Sequence, residues 1–240
     1  MVSKNQVKLV KSLHQKKYRN RHNLFVAEGI KVVQELVHSS FKVNTLFSTD
    51  AHIDLGTEDV IEIVSEADLK KMSALTTPNK ILGVFEIPMT QRPNFDSWVV
   101  VLDDIRDPGN LGTIIRLCDW FGIEHLVCSS HTVDCYNPKT LQATMGSISR
   151  VNIGYTDILS FLKDAPVDVF GAFMEGESVY GQELPSSGIL VMGNEANGIS
   201  KEVETMVTKK ISIPQFGRST TESLNVATAT AILLNEIRRG

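Results

Sequence analysis

Three glycine-bearing segments place polar side chains at spacings that could do chemistry. The first is DDIRDPGNLGTIIRLCDWFG, in which Pro108 and Gly109 turn the chain, Asn110 opens a helix and Arg116 follows six residues later. Six residues do not share one helical face, so cooperation between Asn110 and Arg116 requires a bend or frayed start supplied by Gly109 and Gly112. The second, LVMGNEANGIS at 190–200, leaves an apolar run through Gly193, puts Glu195 and Asn197 in a turn and closes on Gly198. It lacks the GxGxxG order of a dinucleotide loop and the GK[ST] ending of a P-loop, which argues against a nicotinamide or triphosphate enzyme and leaves an adenosine-bearing ligand open. In the third, ISIPQFGRSTTESLNVATATAILLNEIRR, a strand ends at Pro214, Gly217 permits a turn, and Ser223 and Asn225 begin a helix. Each group also has a plain structural use: Asn110, Ser223 and Asn225 as caps, Arg116 as a surface ion-pair residue.

The elements that must position these segments read as α/β. Strands are expected at 98–103, 125–128, 167–173, 188–192 and 210–213, with helices at about 110–121, near 138–145 and at about 221–238. Short apolar runs alternating with helical periods indicate a largely parallel sheet, whose ligands bind where loops leave the carboxyl ends of the strands. The last helix has an apolar stripe, Leu224, Ala227, Ala231, Leu234 and Ile237, able to pack on a sheet or on another subunit, and Ser219 with Glu222 has capping-box spacing. Ahead of this unit, MTQRPNFDS at 89–97 is polar and proline-bearing, a linker that divides a domain of 1–92 from one of 93–240. The amino-terminal part alternates an amphipathic helix over Asn5 to Arg19, a helix in IKVVQELVHSS, strands in VNTLFST, DVIEIVS and ILGVFEI, and a small helix starting at Ser65 with Asp68 in its first turn.

Apolar residues at 42% and charged residues at 22% place the chain among globular proteins with a sizeable core. No apolar run is long enough to cross a bilayer and the start has no hydrophobic signal core, so a cytoplasmic protein without a membrane partner is expected. Cys118, Cys128 and Cys135 form no CxxC pair and the six histidines make no close ligand pair, so buried reduced thiols and no metal site are expected. The net charge of −4 is spread unevenly: residues 1–31 hold Lys4, Lys8, Lys11, Lys16, Lys17, Arg19, Arg21 and Lys31 against the single acid Glu28. Such an arm can touch several phosphates or be an ordinary solvated helix face.

Taken together, Asn110-x-Gly112-x-x-x-Arg116, Gly193-x-Glu195-x-x-Gly198 and Ser223-Leu224-Asn225-Val226 resemble, in order and spacing, the SpoU family of RNA 2'-O-ribose methyltransferases, part of a larger group with a deep trefoil knot. KKYR and FVAEG resemble, more loosely, that family's ribosomal-protein-like α/β substrate-binding extension. Two positions depart from the family pattern: Gln215 follows Pro214 where methionine is common, and Cys118 stands where alanine is common. Neither removes a functional group. The resemblance implies a trefoil-knotted α/β methyltransferase domain preceded by a small α/β RNA-binding domain. It implies S-adenosylmethionine held by Met192, Gly193, Asn194 and Gly198, by Ile213, Pro214 and Gln215, and by Ser223 and Leu224. The catalytic set would be Asn110, Arg116, Glu195, Ser223 and Asn225, with Arg116 activating the 2'-hydroxyl. RNA would contact Asn110, Arg116 and the arm residues Lys16, Lys17, Arg19 and Arg21. The implied partners are structured RNA, ribosomal before transfer RNA, and a second copy of the chain. Competing readings are a noncatalytic RNA-binding or assembly protein, which would not bind the methyl donor, and a small-molecule methyltransferase, which would ignore RNA.

Overall fold

A computed structural model describes residues 2–217 and 223–239. In chain order the elements are α1 (Lys4–Ser12), α2 (Lys16–His22), β1 (Leu24–Glu28), α3 (Ile30–Val37), β2 (Val43–Ser48), β3 (Ile61–Ile63), α4 (Glu66–Met72), β4 (Ile81–Glu86) and β5 (Trp98–Leu102). They continue with α5 (Pro108–Trp120), β6 (His125–Ser129), α6 (Pro138–Thr144), β7 (Asn152–Thr156), α7 (Ile158–Lys163), β8 (Val169–Ser178), β9 (Gly188–Met192), α8 (Lys201–Glu204), β10 (Lys209–Ser212) and α9 (Val226–Arg238).

The chain divides into two compact units, one of Met1–Met89 with Asp134–Arg150, the other of Thr90–Val133 with Val151–Gly240. The first unit therefore takes in a segment that the sequence places in the second domain. Its side chains find their partners there: the Tyr136 ring lies 4.6 Å from that of Phe25 on β1, and Gln142 Nε2 donates to the Glu28 carbonyl at 2.7 Å. The sheet of this unit runs β1-β4-β2-β3, with antiparallel pairing except between β2 and β3. Ser65 caps α4 as expected, its side chain accepting the Asp68 N–H at 3.1 Å.

The expected helix over 5–19 is two helices. α1 stops at Ser12 because Val10 and Leu13 turn into the core, and the orphan carbonyl of Leu13 is taken by Arg19 Nη1 at 2.9 Å. Arg19 is only 2% exposed, and its Nε and Nη2 both donate to Asp134 Oδ2. This corrects the expectation that Arg19 reaches RNA phosphates: its donors are spent on a buried ion pair, whereas Lys16, Lys17 and Arg21 lie on the exposed surface. Arg19→Met leaves the Asp134 carboxylate, 11% exposed, without its cation. Breaking a buried pair from one side costs about 3 kcal/mol. Urea unfolding should show that loss, and the double change Arg19→Met with Asp134→Leu should recover much of it.

The second unit is built on a six-stranded sheet of order β10-β8-β9-β5-β6-β7, parallel throughout. β5 and β9 lie at its centre and are buried at every residue, the continuous apolar pattern of strands covered on both faces. β7, α7 and α8 escaped the sequence reading: β7 is a polar edge strand, and the two helices have six and four residues, too few to show a period. α9 starts at Val226, later than expected, with Asn225 as its cap; Ser219 and Glu222 lie outside the described residues. α9 packs on α5, burying Val226, Ala227, Thr230, Leu233, Leu234 and Ile237, so most of its apolar stripe is consumed within one chain. Leu224 precedes the helix and is 47% exposed.

Because all six strands run the same way, the loops that follow β5, β9 and β10 leave the same edge of the sheet. These are the loops that carry the three polar motifs.

Candidate active site

The loop after β5 is fixed first. The Asp103 N–H donates to the Met192 carbonyl at 2.9 Å, and its buried carboxylate accepts the Ser200 N–H at 2.8 Å, binding the β5 end to the loop after β9. Asp104 follows in the left-handed region at φ 59°, an uncommon conformation for a residue with a side chain. Its carboxylate takes Arg106 in a two-point grip, 3.0 Å from Nε and 2.9 Å from Nη2.

The loop at 193–200 is a tight hairpin. Asn194 and Gly198 exchange both backbone hydrogen bonds at 2.9 Å, and Asn194 Oδ1 accepts the N–H groups of Ala196 and Asn197 at 2.9 and 3.0 Å. Asn194 Nδ2 reaches across to the Asp104 carbonyl at 2.6 Å. Gly198 turns at φ +69°, and a Cβ on Gly193 would lie 2.2 Å from the backbone of Gly198 and Ile199. The second motif thus needs its two glycines for different reasons, one for conformation and one for space.

Glu195 projects from this hairpin onto the start of α5. Oε1 accepts the Asp107 N–H at 3.2 Å and Asn110 Nδ2 at 3.0 Å, while Oε2 accepts the Arg106 N–H at 3.3 Å. Burial raises its pKa, but the bonds from Asn110 and from backbone N–H groups outweigh that and hold it below the usual glutamate value. It is an anion at neutral pH whose oxygens are all engaged, a clamp rather than a free base. Asn110 does not cap α5; Asp107 does, accepting the Asn110 N–H at 2.8 Å. That leaves the Asn110 amide to donate to Glu195 and to accept Asn225 Nδ2 at 2.9 Å. Asn225 Oδ1 in turn caps α9 through the N–H groups of Ala227 and Thr228 at 3.0 and 3.2 Å. A hydrogen-bonded chain, Asn225 to Asn110 to Glu195, joins all three motifs.

Two connected spaces lie around it. A cavity of about 550 Å³ is lined by Arg106, Asn110, Glu195, Ser223 and Asn225 among others. A larger one of about 1200 Å³ is bordered by Met192, Gly193, Asn194 and Gly198, by Ile213, Pro214 and Gln215, and by Ser223 and Leu224, the nine residues expected at the cofactor. Asn194 to Asn197, Ser223 and Leu224 border both. Val226 of the third motif adds apolar wall to the larger cavity, which also has residues the sequence did not indicate: Ile211 and Leu233 give further apolar wall, Glu175 a carboxylate and Lys210 a cation. Glu175 lies within β8, Lys210 and Ile211 within β10 and Leu233 within α9, inside elements where no motif marks them.

Arg116 is not part of this assembly. It lies on the exposed face of α5, borders neither cavity and makes no ion pair among the described residues. α5 is unbroken through Gly109 and Gly112, so the bend that would bring Arg116 to Asn110 is absent; six residues carry it about 9 Å along the helix and two-thirds of a turn around it. The three cysteines are buried, and burial pushes the Cys118 thiol pKa well up, which removes it as a nucleophile.

Residues 97–235 match the SpoU rRNA Methylase family, and residues 4–83 match the MRM3-like substrate binding domain. The chain is 33% identical to the Bacillus subtilis 23S rRNA (guanosine(2553)-2'-O)-methyltransferase RlmP, over 98% of this chain and 97% of that one. It is 38% identical to a TrmH-family protein of known structure from Porphyromonas gingivalis, with a TM-score of 0.89 over 100% of this chain and 99% of that one. An AdoMet-bound rRNA methyltransferase structure from Sinorhizobium meliloti is 31% identical, with a TM-score of 0.85 over 100% and 97% of the two chains.

Proposed function

The chain belongs to the SpoU rRNA methylase family, and on that premise we propose that it transfers the methyl group of S-adenosylmethionine to a ribose 2'-hydroxyl of structured RNA, specifically ribosomal RNA. The observation that carries this reading is the opening of a cofactor-sized cavity, built by the loops after β9 and β10, directly beside the Asn225–Asn110–Glu195 chain.

The cavity suits the methyl donor. Its volume of about 1200 Å³ exceeds that of an ordinary small-molecule pocket, its apolar wall at Ile211, Val226 and Leu233 can receive adenine, and Glu175 offers a carboxylate to a ribose hydroxyl or an ammonium group. S-adenosylmethionine supplies a methyl already activated on positive sulfur. The residues of this chain must then place the acceptor oxygen in line and favour loss of its proton. Asn110 keeps one amide hydrogen for the acceptor, and the clamp of Glu195 on the Arg106 and Asp107 N–H groups holds that amide still. Arg116 supplies positive charge to the developing alkoxide. Since it faces away from its own cavity, it does so from a second copy of the chain. Thr113, Arg116 and Trp120 lie on one exposed face of α5, and Trp120 is 84% exposed, an aromatic surface that a two-fold partner would cover.

The first unit is the RNA-binding domain. Lys4, Lys8 and Lys11 line one exposed edge of α1 at helical spacing, and Lys16, Lys17 and Arg21 continue the exposed positive surface on α2. The test is incubation of the purified protein with methyl-labelled S-adenosylmethionine and total RNA lacking native modifications, followed by nuclease digestion and mass spectrometry. We expect a single 2'-O-methylated nucleotide in ribosomal RNA. Label confined to transfer RNA would replace the ribosomal acceptor, and donor binding with no label in any RNA would overturn the reading.

A further inference from the structure

Arg106 is held more firmly than a surface arginine needs to be. Its N–H is taken by Glu195, and its guanidinium is taken at two points by Asp104, a residue in the left-handed backbone region. A non-glycine residue in that conformation is uncommon, and such strain collects at functional sites. Despite this grip the side chain is 72% exposed. It borders the smaller cavity beside Asn110, Ser223 and Asn225 and does not border the larger one.

The charges around it point the same way. Among the described residues lining the smaller cavity Arg106 is the one cation. The neighbouring acids are turned to other work: Glu195 receives three N–H donors, and Asp107 Oδ1 caps the Asn110 N–H. Asp104 uses Nε and one hydrogen of Nη2, so the guanidinium keeps Nη1 and the second Nη2 hydrogen as a fixed fork. A planar, oriented, solvent-facing fork matches the oxygens of a phosphodiester.

We infer that Arg106 grips a phosphate of the acceptor RNA next to the ribose being methylated, and so sets which nucleotide is presented at the cavity mouth. This rests on the RNA methyltransferase reading above. Asp104 and Glu195 are positioning residues for it, one through the side chain and one through the backbone. The phosphate, and not the carboxylate of the methyl donor, is the ligand, because Arg106 lies outside the wall of the larger cavity.

The test compares the parent protein with Arg106→Ala and Arg106→Lys in RNA binding across a salt series, in steady-state methylation and in calorimetric titration with S-adenosylmethionine. For Arg106→Ala we expect KM for RNA to rise about tenfold. The slope of log affinity against log salt should fall by about 0.7, the contribution of one single-stranded phosphate. Donor affinity should stay within about twofold, since the residue does not line the donor cavity. Lysine keeps the charge without the fork, so it should restore the salt slope but only part of the KM. An unchanged salt slope and KM in a folded Arg106→Ala protein would overturn the assignment, as would a loss confined to donor affinity. The salt slope is read on binding alone, so it separates this inference from a failure to detect methyl transfer; a parent protein that neither binds nor methylates RNA would sink both.

Discussion

Gly193→Ala is expected to abolish donor binding while leaving the first unit folded. The added methyl would sit 2.2 Å from the Gly198 carbonyl carbon and from the Ile199 nitrogen, and 2.6 Å from the Gly198 oxygen. All three are backbone atoms, so no side chain can rotate away. Relief requires opening the hairpin, which breaks the paired Asn194 and Gly198 hydrogen bonds and withdraws Glu195 from the start of α5. Overpacking of this kind costs about 1–3 kcal/mol even where neighbours can shift, and calorimetric titration should show donor affinity reduced by at least about a hundredfold. Gly198→Ala is the comparison. That position is left-handed at φ +69° but has nothing within 4 Å of an added Cβ, so the cost is conformational alone, about 1 kcal/mol. A Gly198→Ala effect equal to or larger than that of Gly193→Ala would contradict the argument from space.

Arg116→Ala is expected to lower the methylation rate about a thousandfold, the size of losing one charge-stabilising group at a reacting centre. It should do so without altering donor affinity or unfolding, because the side chain is exposed and borders neither cavity. The decisive experiment mixes the Arg116→Ala and Gly193→Ala proteins. If Arg116 of one copy serves the cavity of the other, a mixed dimer carries one site with both defects and one with neither. Random exchange would then restore about a quarter of parent activity from two inactive proteins. No recovery from a mixture shown to have exchanged would place Arg116 outside catalysis in trans, and parent-level activity in Arg116→Ala alone would remove it from catalysis.

Much of the second unit was legible because its signals are local. The apolar runs that became β5, β6, β9 and β10 are short and dense, and the α5 period is carried by residues a few positions apart. The three motifs were also visible as strand-end loops, and a parallel sheet brings such loops to one edge. The weak elements β7, α7 and α8 were lost because a polar edge strand and helices of four or six residues have little pattern of their own.

What the sequence determined by itself was the inventory: which residues stand at the ends of strands, where glycine must replace a side chain, and the order and spacing that mark the family. The tertiary structure decided the pairings. Arg19 and Arg21 lie two residues apart in one basic run, yet one is buried on Asp134, 115 positions away, and the other faces solvent. Asn110 looked like a helix cap and is instead the middle link between Glu195 and Asn225, 85 and 115 positions away. Arg116 looked like the partner of Asn110 and an unbroken helix turns it elsewhere. The physical reason is the same in each case. Spacing along the chain sets which face of an element a side chain occupies, but the partner it meets there comes from a distant segment, and only packing of the sheet and its loops brings that segment into hydrogen-bonding range.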